Sequence, residues 1–143
     1  RWCGTSRRPK AVTEDALAEL ERVFAIALPR DYREQVLAVG LPSPTIELLD
    51  RIFDANAGVA DLSELHSPEE VRSATLVWRE AGLPETLLAI GSDCGGNTFA
   101  FDLGDLRGGP VDRAAVYFWD HEFGTVRRVA RSFSAWVERF LRL

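Results

Sequence analysis

The sequence predicts an α+β domain, a mostly antiparallel sheet packed by N-terminal, middle and C-terminal helices, and three observations support this. Apolar residues recur at helical spacing near both ends, as Leu17, Leu20, Val23, Phe24 and as Phe133, Trp136, Val137, Phe140. From Leu87 onward the spacing changes to period two, which is that of a strand. The strand-like runs lie together late in the chain instead of alternating with helices, as a parallel α/β sheet requires.

The first helix opens at Thr13, whose hydroxyl suits the N-cap, with Glu14 and Asp15 where the helix dipole favours negative charge. Its apolar side runs from Leu17 to Ala27. A second helix starts at Pro29, suited to the first helical position, and ends at Gly40, with Tyr32, Val36, Leu37 and Val39 as its buried side. Pro42 and Pro44 make a loop, and the spacing Ile46, Leu49, Ile52, Phe53 predicts a helix ending near Asn56 or Gly58. Ser67 caps the next helix, with Pro68 first and Gly82 last, and Val71, Ala74, Leu76, Val77 and Trp78 form its apolar side. In the strands, Phe99, Phe101 and Leu103 alternate with Thr98, Ala100 and Asp102, and Val116 and Phe118 with Tyr117 and Trp119. A turn at Gly124 leads to a short strand, and a final helix follows Ser132.

A length of 143 residues suits one domain, here read as residues 13–143 behind a flexible leader, 1–12. Hydrophobic residues at 46% and charged residues at 27% place the chain among folded globular domains. The two cysteines, Cys3 and Cys94, do not make a disulfide framework, so reduced thiols in a cytoplasmic protein are expected. No apolar run is long enough to span a bilayer. The formal charge of −5 disfavours direct nucleic-acid binding and suits a basic partner. Arg127, Arg128 and Arg131 form the one tight basic cluster, read as a solvated or ion-paired face.

The stretch IGSDCGGNTFAFDL, residues 90–103, invites four readings. A phosphate-binding Walker loop needs Lys and Ser or Thr after its last glycine, and Asn97 and Thr98 stand there. A dinucleotide fingerprint opens a helix, whereas a strand pattern follows Gly96. Cys94 as nucleophile would need His66 or His121 as base, with no local signature for it. A metal site would need Cys94, His121 and carboxylates to converge without paired cysteines or two histidines on one helical turn. A tight turn explains the stretch more simply: glycine admits positive φ, and Asp93 and Asn97 can bond their own backbone. Cys94 is then a dispensable turn residue, and neither metal nor cofactor is expected.

The stretch WDHEFG, residues 119–124, sets Asp120, His121 and Glu122 together, which is acid/base chemistry if a nucleophile and cradle accompany it. Neither is visible, and a polar strand end turning at Gly124 accounts for the same residues. If the two hairpin ends lie side by side, Asp93, Asn97, Trp119, Asp120, His121 and Glu122 form a recognition face.

Taken in order, ALPRDYREQVL, SPEEV, LPETLLAIGSDCGGNTFAFDL, VYFWDHEFG and VARSFSAWVERFL resemble the SUKH superfamily, the Smi/Knr type of cell-wall-assembly-regulator homologues. The matching positions are Leu28, Pro29 and Tyr32; Gly91, Asp93, Gly96 and Asn97; Val116, Tyr117, Asp120 and His121; and Ser132, Phe133, Trp136 and Phe140. The chain departs from the family pattern after the second helix, where Val39, Gly40 and Leu41 replace a frequent Asn-Gly-Gly and an extra segment follows. The resemblance implies a non-catalytic binding module. Bacterial members resemble immunity proteins that neutralise a cognate polymorphic toxin, often a nuclease or deaminase, and related members are regulatory scaffolds. It further implies a toxin protein as partner and a monomer or weak homodimer.

Overall fold

A change from helical to alternating spacing should place helices around a late-forming sheet, and the computed structural model has that arrangement. It describes residues 11–41, 64–93 and 95–141. The predicted helix over 46–58, Cys94, Trp2 and most of the leader lie outside the described residues. The elements in chain order are α1 (Glu14–Phe24), α2 (Arg30–Val39), β1 (Glu64–Leu65), α3 (Pro68–Glu80), β2 (Leu87–Ser92), β3 (Thr98–Asp102), α4 (Leu103–Arg107), β4 (Val116–Asp120), β5 (Thr125–Ala130) and α5 (Phe133–Leu141). The fold is α+β, with one antiparallel sheet of order β1-β2-β3-β4-β5.

The helix starts follow from capping chemistry. Thr13 accepts the Ala16 amide at 3.2 Å. Ser67 accepts from the Glu70 amide while Glu70 accepts from the Ser67 amide, a reciprocal box that satisfies two otherwise orphaned donors. Ser132 accepts the Ala135 amide to open α5.

Alternation along the strands divides the core between the two sheet faces. On one face Phe99, Phe101 and Val116 pack with Tyr32 of α2 and with Phe133 and Trp136 of α5, and Leu17, Leu20 and Phe24 of α1 join this cluster. Tyr32 meets Phe101 and Phe133 edge-on, at 5.3 and 4.9 Å between centroids, a geometry the ring quadrupoles favour. On the other face Leu87, Ala89, Ala100 and Trp119 pack beneath Ala74 and Trp78 of α3. There Thr75 is buried, and its Oγ1 accepts the Ala89 amide of β2 at 2.9 Å. Thr75→Val keeps the shape and removes the acceptor, so a buried N–H loses its partner. An equilibrium denaturation should show a loss of about 1 to 3 kcal/mol, largely restored by Thr75→Ser.

Five expectations need correction. Helix α1 stops at Phe24, because Ala25 takes a left-handed φ of 54°. The amide of Ala27 bonds the Leu106 carbonyl outside the helix. Pro29 is the N-cap of α2, one residue before its predicted place. Leu37 and Val39 of α2 are exposed, Leu41 being buried instead. Leu76 and Val77 are exposed, since at 100° per residue the buried stripe through Val71 takes Ala74, Thr75 and Trp78 and leaves 76 and 77 facing outward. Leu103 does not continue β3. Asp102 accepts the Gly104 amide at 2.7 Å and starts the short helix α4. The predicted side chains Phe140 and Leu141 lie outside the described residues.

Candidate functional site

Strand β3 lies between β2 and β4 and runs antiparallel to both, so the β2–β3 and β4–β5 turns emerge at the same end of the sheet. The register Thr98↔Trp119 sets the residues before Thr98 beside those after Trp119. The expected side-by-side hairpin ends are therefore present.

Each turn is held from within. The Asp93 carboxylate accepts the amides of Gly95 and Asn97 at 2.9 and 2.8 Å on one oxygen and the Asn97 side-chain amide at 2.9 Å on the other. Asp120 Oδ1 accepts the amides of Glu122 and Phe123 at 2.9 and 3.2 Å. Gly124, with φ of 68°, closes this second turn by donating to the Asp120 carbonyl.

Asn97 joins the two turns. Its Oδ1 accepts the His121 backbone amide at 3.1 Å and stands 2.9 Å from His121 Nδ1, which donates to it in the Nδ1-protonated tautomer. The imidazole lies 6.1 Å from the Trp78 ring and 6.4 Å from Trp119. Beneath it, Gly96 has a φ of 87°, and a Cβ there would come within 3.3 Å of His121 Cε1. Only glycine suits both the backbone and the space.

Chemically this is a latch. Both oxygens of Asp93 and Oδ1 of Asp120 accept amides of the turns, and among the described residues the His121 ring has Asn97 as its one hydrogen-bond partner. Asp93, Asn97, Asp120, His121 and Glu122 are thus brought together. Trp119 is not on the surface with them: at 1% exposure it belongs to the core under α3 and props the turns from below. Asp120 is also more than a surface charge, because its carboxylate builds the turn it sits on.

Phe123 was not among the expected site residues. It is 77% exposed at the tip of the β4–β5 turn, beside exposed Glu122. A large aromatic directly before a turn glycine is the signal that could have singled it out, since a tight two-strand turn brings few neighbours to its tip.

Elsewhere, Glu64, His66 and Glu70 bring potential ligand atoms within 4.8 Å of one another. The Glu70 carboxylate already serves the Ser67 cap.

Fold and site together define a class: a small α+β domain, one meandering antiparallel sheet with helices on both faces, presenting a pre-organised polar turn pair at one sheet end. Within it, the chain belongs to the SMI1 / KNR4 family (SUKH-1), whose pattern matches residues 11–139. Comparison with curated proteins returns no match. No helix among the described residues is long and apolar enough to cross a membrane.

Proposed function

We propose that this chain is a non-catalytic immunity protein that acts in the cytoplasm and neutralises a cognate toxin by direct binding, with the latched turn pair as its contact face. Family membership supports the binding-module level of this reading. The observation that carries the rest is the joining of a rigid support to an unpacked tip. Asn97 bolts two hairpin turns together, and Glu122 and Phe123 project from them into solvent. A pre-organised surface loses little entropy on binding, and an exposed aromatic supplies the kind of anchor that dominates interface energetics. The net charge of −5 complements a basic toxin surface such as that of a nuclease or deaminase.

Co-expression tests the reading. A toxin encoded beside this chain should be lethal alone and harmless with it. Failure to rescue, together with a stable partner recovered from cells that carry no toxin, would favour a regulatory scaffold instead. At the residue level, Glu122→Lys is the clean charge reversal, since Asp120 cannot be reversed without loosening its turn. Toxin association should slow for Glu122→Lys at low salt and less so at high salt, where screening shortens the reach of the charge. The melting temperature should stay unchanged, an exposed charge contributing no more than about 1 kcal/mol. An unchanged association rate at low salt would place the interface elsewhere.

A further inference from the structure

Strand β5 ends the sheet order, so among the described residues its outer side has no strand partner. Thr125, Val126, Arg127 and Arg128 are exposed along it. Toward its far end, the register steps from Val116↔Ala130 to Tyr117↔Arg128, which leaves Val129 as a bulged residue, and the Arg139 guanidinium donates to the Val129 carbonyl. The edge is therefore blunted at Val129 and open from Thr125 to Arg128. An open edge strand is a row of backbone donors and acceptors awaiting a chain.

Beside this edge, between β5 and α5, runs a groove of about 430 Å³ whose lining includes Arg128, Arg131, Arg139 and Glu138. Three other arginines meet carboxylates: Arg33 pairs with Glu14 and Glu21, Arg22 with Glu19, and Arg30 with Asp112; Arg79 and Arg139 donate to backbone carbonyls. Arg127, Arg128 and Arg131 pair with no described carboxylate. Arg127 instead lies over the Phe118 ring, 5.2 Å from its centroid. A chain of net charge −5 thus keeps a positive strip along the β5 edge.

We infer that the β5 edge and its arginine groove form a docking site for an extended acidic peptide segment, which adds to the sheet as a further strand and sets its carboxylates against Arg127, Arg128 and Arg131. Backbone pairing would supply affinity and the arginines would select for negative charge. A second copy of this chain is a poor occupant, because edge-to-edge pairing would oppose arginine to arginine. Nucleic acid offers no peptide groups to the edge and is repelled by the net charge. This surface is separate from the turn pair and does not depend on its role.

The test uses the whole chain and a labelled peptide repeating Glu-Glu-Val-Val over about eight residues, the length of a strand, so that both faces of the added strand carry carboxylates. The peptide should bind with a Kd of about 0.1 mM or tighter and shift the amide resonances of Thr125 to Arg128. Arg127→Glu/Arg128→Glu should weaken it at least about tenfold. Arg127→Gln/Arg128→Gln provides the same readout if the reversal impairs folding, judged by melting curves. Equal binding by a peptide N-methylated at alternate amides would overturn strand addition. Tighter binding of an oligothymidine of equal charge, or no peptide binding at about 1 mM, would overturn the inference.

Discussion

Trp136→Ala should lower the stability of the domain by about 3 to 5 kcal/mol, the range for deleting a large aromatic from a packed core. Trp136 is 0% exposed and central to the face where α5 meets the sheet, with its ring 4.9 Å from Phe99 and 6.0 Å from Phe133. Phe133 is held in turn by Tyr32 from α2 and Phe99 by Phe118, so the void left by alanine has rigid walls on several sides. A site that cannot collapse keeps both the lost contacts and the cavity cost. In a denaturant titration with far- and near-ultraviolet detection, the midpoint should fall with both signals still coincident. The melting temperature should drop by about 10 °C or more. A loss below about 0.5 kcal/mol would show that α5 is anchored by something other than this residue.

Phe123→Ala should leave stability almost unchanged and cost about 2 kcal/mol or more in affinity for the toxin proposed as its partner, roughly thirtyfold in Kd. The asymmetry follows from where the ring stands. It is 77% exposed, so the folded chain gains little from it, while a partner that covers it removes most of its apolar surface from water. Asn97→Ala makes the contrasting case. It deletes a donor to Asp93 and the acceptor of the His121 amide at a half-buried position, so both turns loosen and stability falls along with affinity. Binding measured by calorimetry beside a melting curve separates the two variants. Full affinity in Phe123→Ala would remove the turn tip from the interface.

Much of the fold was legible because its signals are local. Thr13, Ser67 and Ser132 announce helix starts through bonds to amides three residues on, and the alternation around Phe99 and Phe118 announces strands. Gly124 marks its turn for a similarly local reason, a positive φ. The short helix α4 was hidden because Leu103 continues the period-two pattern of β3 while the Asp102 cap overrides it. In the site, the polar residues at both turns were legible as turn chemistry, whereas the linkage between the turns was not.

What the sequence determined by itself, then, is the fold class, most element starts, the two hairpin turns and an acidic balance that suits a basic partner. Each of these rests on hydrogen bonds, dihedral preferences or charges within a few residues of one another. Only the tertiary structure decided that Asn97 bonds His121 across twenty-four positions of chain, that Trp119 lies in the core, and that Phe123 stands open. It also decided that the arginines of β5 border a sheet edge that no other described strand pairs with. Spacing tells which residues share a face of an element. Whether that face meets a helix, another strand or water is set by how the whole chain packs, and two tryptophans in similar strand or helix patterns can therefore end as core and as margin, as Trp119 and Trp78 do.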